Sequence, residues 1–154
     1  MKTKIFKILF AITFFVSCGP KTSKSIAVIT KETDTYISKV KANTSLKEEM
    51  IEGALTDTEG FKDIGNFKYT TFFNEQSKQL YKIKNVEKTD KTIAETYYFR
   101  DGDLVLIDAN LDGKSNQIYI HKGKVLSENK TETPGEKLLL EKAKRFQKAF
   151  QREH

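Results

Sequence analysis

Between Phe67 and Leu126 the chain is built from short runs rich in aromatic and β-branched residues, broken by turn residues, and this pattern restricts the fold more than any other feature. Phe67, Tyr69, Thr71 and Phe73 alternate with Lys68, Thr70 and Phe72, as on a strand with one face buried. Leu80 to Val86, Thr92 to Arg100, Leu104 to Asp108, Gln117 to His121 and Lys124 to Leu126 read as further short strands. Asp101-Gly102 is a two-residue hairpin signal, and Gly123 marks a further turn. Short consecutive strands joined by such turns predict an antiparallel meander. A sheet of about five strands is the expected size.

Helices are predicted on either side of this β-rich stretch. Ile26, Ile29, Tyr36, Ile37 and Val40 share one face of a helix. Its β-branched residues lower its intrinsic propensity, so it needs a sheet to pack on. Residues 45–55 fit either a short helix or a first strand: Ser45 with Glu48 has capping-box spacing, whereas Gly53 interrupts the pattern. Near the C-terminus, Thr133 is placed to cap, Pro134 suits the first helical position and Glu136 completes a T-x-x-E box. Leu139, Ala143, Phe146 and Phe150 then share one face, while Lys142, Lys144, Arg145, Lys148 and Arg152 are basic. The expected fold class is therefore α+β, an antiparallel β-meander of about five strands flanked by an N-terminal and a C-terminal helix.

The first seventeen residues are of another kind. Lys2, Lys4 and Lys7 make a basic start, Ile8 to Val16 an apolar stretch, and the small residue Ser17 stands before Cys18, the chain's one cysteine. The apolar stretch is shorter than the roughly 20 residues that span a bilayer. This segment resembles a bacterial lipoprotein signal peptide with its lipobox. Val16 and Ser17 fit the pattern, and Phe15 stands where leucine is commoner. The resemblance implies cleavage before Cys18, a diacylglycerol thioether on its sulfur and acylation of the new amino terminus. Two or three acyl chains make a lasting anchor where one gives only reversible attachment. It also implies a cell-envelope location. Gly19 replaces the aspartate that commonly retains such proteins in an inner membrane, so the outer membrane is favoured in a two-membrane cell. The organisation read from the sequence is residues 1–17 as signal, 18–25 as lipidated cysteine and flexible Pro20-containing tether, and 26–154 as one domain.

Removing the signal leaves 137 of 154 residues, enough for one core. It also removes three of the 27 basic residues, leaving 24 against 21 acidic ones, a net charge of +3. The lysines are spread along the chain with no recognition motif, which argues against a nucleic-acid partner. With Cys18 lipidated there is no thiol for an internal disulfide, so stability must come from packing.

Sequence motifs for catalysis are absent: there is no G-x-S-x-G, no H-E-x-x-H, no cysteine-histidine cluster and no phosphate-cradling glycine loop. Of the two histidines, His121 ends a strand and His154 is terminal, where fraying is expected. Asp108, Asn110, Asp112 and Gly113 match the opening D-x-[DN]-x-[DN]-G of a calcium loop, with oxygen ligands at alternate positions. Position twelve of that loop is Tyr119 rather than glutamate, and Asp112-Gly113 is equally the chemistry of a plain turn. Calcium is the one cofactor the residues suggest. Tyr69, Tyr81, Tyr97, Tyr98 and Tyr119 are candidate ligand-binding residues, because a sheet face left open by the helices would expose aromatics. The expected role is a lipid-anchored, non-enzymatic module that binds a small ligand or an envelope protein. The alternatives are a carboxylate-dependent enzyme acting on an envelope polymer through Glu95, Asp101 or Asp108, and a calcium-stabilised structural lipoprotein.

Overall fold

The computed structural model describes residues 25–111, 113–127 and 133–154. Residues 1–24, with Cys18 among them, and Asp112 lie outside the described residues, so the expected signal and most of the expected tether do too. Helix α1 (Ile26–Ala42) leads into strands β1 (Lys47–Thr56), β2 (Asp63–Phe73), β3 (Leu80–Lys88), β4 (Thr92–Arg100), β5 (Asp103–Leu111), β6 (Lys114–His121) and β7 (Lys124–Val125), and helix α2 (Pro134–Glu153) closes the chain. Among the described residues the strands form one seven-stranded sheet in sequence order, and every neighbouring pair is antiparallel.

The α+β class and the flanking helices are as expected, but the sheet has seven strands rather than about five. Six of the seven, β2 to β7, match runs read as strands in the sequence, and β1 is the addition. Of residues 45–55, Ser45 and Leu46 stay in the turn after α1 and 47–55 are strand: β1 pairs with β2 from Lys47↔Phe73 to Thr56↔Asp63, and that ladder, not its own pattern, makes it a strand. At the other edge, β7 is a two-residue return held by Ile120↔Val125 and His121↔Lys124. The turns explain why a meander forms. Asp101-Gly102 and Lys122-Gly123 both take positive φ at both positions, the left-handed geometry whose twist matches tight hairpins.

Each face of the sheet carries its own helix. Period-two alternation sends Phe73, Ile83, Tyr97, Phe99, Ile107, Ala109, Ile118 and Ile120 to one face, where they meet Leu139, Leu140, Ala143 and Phe150 of α2. Tyr98, Val105 and Leu106 point the other way and meet Ile37 and Val40 of α1. Helix α1 starts where the Ser25 side chain accepts the Val28 N–H, and the Tyr36 hydroxyl on α1 donates to the Phe99 carbonyl. The capping box of α2 forms in full. Thr133 Oγ1 accepts the Glu136 N–H at 3.2 Å, and the Glu136 carboxylate accepts the Thr133 N–H at 2.7 Å. None of the described helices is long and apolar enough to cross a membrane.

One glycine is fixed by backbone proximity. A Cβ on Gly65 would lie 2.0 Å from the Lys88 carbonyl oxygen, and neither backbone can yield without parting β2 from β3. Gly65→Ala is therefore expected to cost about 1–3 kcal/mol in chemical denaturation. Faster amide exchange should accompany it at Asn66 and Lys88. Gly53→Ala should cost less, since its Cβ would meet only the movable Phe67 ring, at 2.9 Å.

Candidate functional site

The α2 face of the sheet contains an ionic group that a core of this size would normally exclude. Along β3 and β4 the inward positions are Ile83, Asn85 and Glu87, and Glu95, Tyr97 and Phe99, and the register sets Asn85 opposite Glu95. Glu95 is only 3% exposed. Its carboxylate accepts from Lys142 Nζ at 2.7 Å, from the Tyr97 hydroxyl at 2.9 Å and from Asn85 Nδ2 at 3.2 Å. Lys142 also reaches Glu87 at 2.8 Å, and Asn85 donates to Glu87 at the same distance. Burial alone would raise the Glu87 carboxyl, but hydrogen bonds from Lys142 and Asn85 outweigh it and hold the group below the usual carboxylate range. Burial, reinforced by the Glu95 charge, pushes the Tyr97 phenol far above its ordinary value, so it stays protonated and donates. Buried charges are tolerated only when paired and hydrogen-bonded, and here they are. One ammonium spanning two carboxylates pins α2 to the middle of the sheet. With Lys142 lying on both carboxylates, neither is presented as a free general acid or base.

Two clefts lie either side of this pin. Toward the N-terminal half of α2, a cleft of about 540 Å³ is bounded by Ile93, Leu111, Ile118, Leu138 and Leu139. Toward the C-terminal half, a cleft of about 530 Å³ opens between α2 and the β1–β3 side of the sheet. Its sheet side is apolar, with Ile51, Leu55 and Phe67, and its helix side is the stripe Lys142, Arg145, Ala149 and Arg152 at three- and four-residue spacing. Tyr69 stands on its wall, packed on the Phe146 ring at 5.0 Å. The Tyr69 hydroxyl is buried with no hydrogen-bond partner among the described residues. Burial, with the Glu153 charge, pushes its phenol up to about 12.

The structure does not gather the five candidate tyrosines on one surface. Tyr69 and Tyr97 face α2, whereas Tyr81, Tyr98 and Tyr119 face α1. Tyr97 and Tyr98 are consecutive and so point to opposite faces, and because a helix covers each face both are buried. The two helices thus divide the aromatics between the two faces, and α2 leaves its β1–β3 side open with Tyr69 on the wall. Tyr119 donates to Asp34 of α1 at 2.7 Å, and its phenol is pushed up to about 12 by burial and by Asp34. Tyr81 donates to Gln79 at 3.0 Å.

The three carboxylates considered for catalysis do not converge either. Glu95 pairs across the strands with Ala109 of the α2-side core, Asp108 projects to the α1 side beside Tyr98 and Tyr119, and Asp101 sits in the β4–β5 turn near Gln79. Of the calcium candidates, Asp108 and Asn110 are on β5 and Asp112 lies outside the described residues. The Asn110 side chain accepts the Gly113 N–H at 2.9 Å, which closes the β5–β6 turn. No group of three or more metal-ligating side chains is found among the described residues.

Sequence reasoning overlooked Asn85, Glu87, Lys142 and Arg145. The signal was present, since Glu95 sits between Ile93 and Tyr97 on the inward parity of a strand, where a charge demands a partner. His154, expected to fray, stacks on Phe150 at 4.3 Å and lies 3.1 Å from Glu49. No family model matches this chain, and neither a curated protein nor a solved structure resembles it closely enough to indicate kinship.

Proposed function

We propose that this protein is a lipid-anchored envelope component, held through Cys18, whose domain acts as a non-enzymatic binding module with its ligand seat in the cleft between α2 and β1–β3. The observation that carries the binding reading is the makeup of that cleft: an apolar side facing a cationic side, within the size range of small-molecule sites. The anchor reading is supported by the lipobox-like run ending at Cys18, and in a two-membrane cell Gly19 favours the outer membrane. An enzymatic reading would require a substrate to displace Lys142 from Glu87 and Glu95 first, which would leave the buried Glu95 carboxylate without the ammonium that pairs with it.

Cys18→Ala tests the anchor. Wild-type protein should incorporate a fatty-acid analogue and enter the detergent phase, whereas the variant should do neither and accumulate as an unprocessed precursor. Labelling of the variant equal to wild type would refute anchoring through Cys18.

A further inference from the structure

We infer that the cleft beside α2 takes an anionic amphiphile, specifically a free medium-chain fatty acid, with its carboxylate between Arg145 and Arg152 and its chain on Ile51, Leu55 and Phe67. This rests on the reading of the cleft as a ligand seat and adds the class of ligand.

Charge complementarity selects the head. Three cations and one carboxylate, Glu87, line the cleft, and Lys142 is already committed to Glu87 and Glu95. Arg145 and Arg152 form no ion pair with any described residue, and both are exposed. They stand seven residues apart, about 10 Å along the helix axis, and Ala149 between them is too small to fill the gap. Two long guanidinium side chains flanking a small residue suit one carboxylate, which each can bind in a fork.

The sheet side selects the tail. Ile51 is 54% exposed on the inward-facing parity of β1, and the Phe67 ring lies over Gly53 beside it, so the surface α2 leaves uncovered is apolar rather than polar.

The test uses the full-length lipidated protein in neutral phosphatidylcholine nanodiscs and three photoactivatable twelve-carbon probes: the carboxylate, the alcohol and the trimethylammonium. The carboxylate should label β1 and β2 around Ile51, Leu55 and Phe67. Labelling should fall at least about tenfold in Arg145→Glu/Arg152→Glu, survive in Arg145→Lys/Arg152→Lys, and weaken by up to about fourfold for each buried methylene removed from the probe. Both arginines are exposed, so these variants should retain the wild-type circular dichroism and melting curve. Equal labelling of wild type and the double glutamate variant would overturn the anionic head. Labelling by the alcohol or ammonium probe that Ala149→Trp abolishes would also overturn it while leaving the cleft a ligand seat. An absence of cleft labelling by all three probes would overturn both readings.

Discussion

Lys142→Met is expected to destabilise the domain by about 3–5 kcal/mol, read as a fall in the urea midpoint, because it leaves a buried carboxylate uncompensated. Glu95 is almost wholly covered and has Lys142 as its cationic partner, and the Tyr97 and Asn85 donors that remain are neutral. Adding Glu95→Gln should restore much of the loss, since the amide keeps the shape and removes the orphan charge. The two substitutions should therefore be strongly non-additive, with a coupling of about 1–3 kcal/mol. Additive losses would mean that the contact does not hold α2 in place. Acidification offers a second readout. The Glu87 carboxyl is held below its ordinary value near 4.3, so its contribution is present above that value and is lost as pH falls through the lower folded value. Glu87 is partly solvated, so this contribution is small. In Lys142→Met the larger of the two hydrogen bonds that lower it is gone while the one from Asn85 remains, so the Glu87 part of the acid-side loss of stability should shrink.

Phe73→Ala should cost about 3–5 kcal/mol, comparable to losing the ionic pin but through a different physical cause. Phe73 is fully buried at the end of β2, with its ring edge-on to Phe150 at 5.2 Å and to His154 at 4.5 Å. Truncation leaves a cavity beneath the last turns of α2, where His154 also meets Glu49 of β1. The C-terminal turn should lose amide protection before the rest of the helix, and Phe73→Leu, which nearly conserves volume, should cost less than about 1.5 kcal/mol. A loss in Phe73→Ala below about 1 kcal/mol would contradict this packing.

The parts of the fold governed by local chemistry could be read directly. Thr133-Pro134-Gly135-Glu136 carries its own capping rule, and both bonds form. Asp101-Gly102 dictates a tight turn, and the alternation from Phe67 to Phe73 assigns the inward face correctly. The edge strand β1 was ambiguous because KEEMIEGALT shows little alternation; its strand character comes from ten residues of pairing with β2. The candidate site was less legible than the fold. Tyrosine counts could not say that a helix covers each face, and the Lys142 contacts join residues 47 or more positions apart through the placement of α2 on the sheet. Inward parity of Glu95 was the one local clue.

The claim that the cleft beside α2 is the working surface of a tethered binding module is tested most directly by isolating the lipidated protein from the envelope in wild-type and Ala149→Trp forms, after checking that both melt alike, and identifying by mass spectrometry the small molecules that accompany each. The expected result is a compound enriched with the wild type and lost when tryptophan fills the cleft. A compound that accompanies both forms equally, or none with either, would contradict the claim.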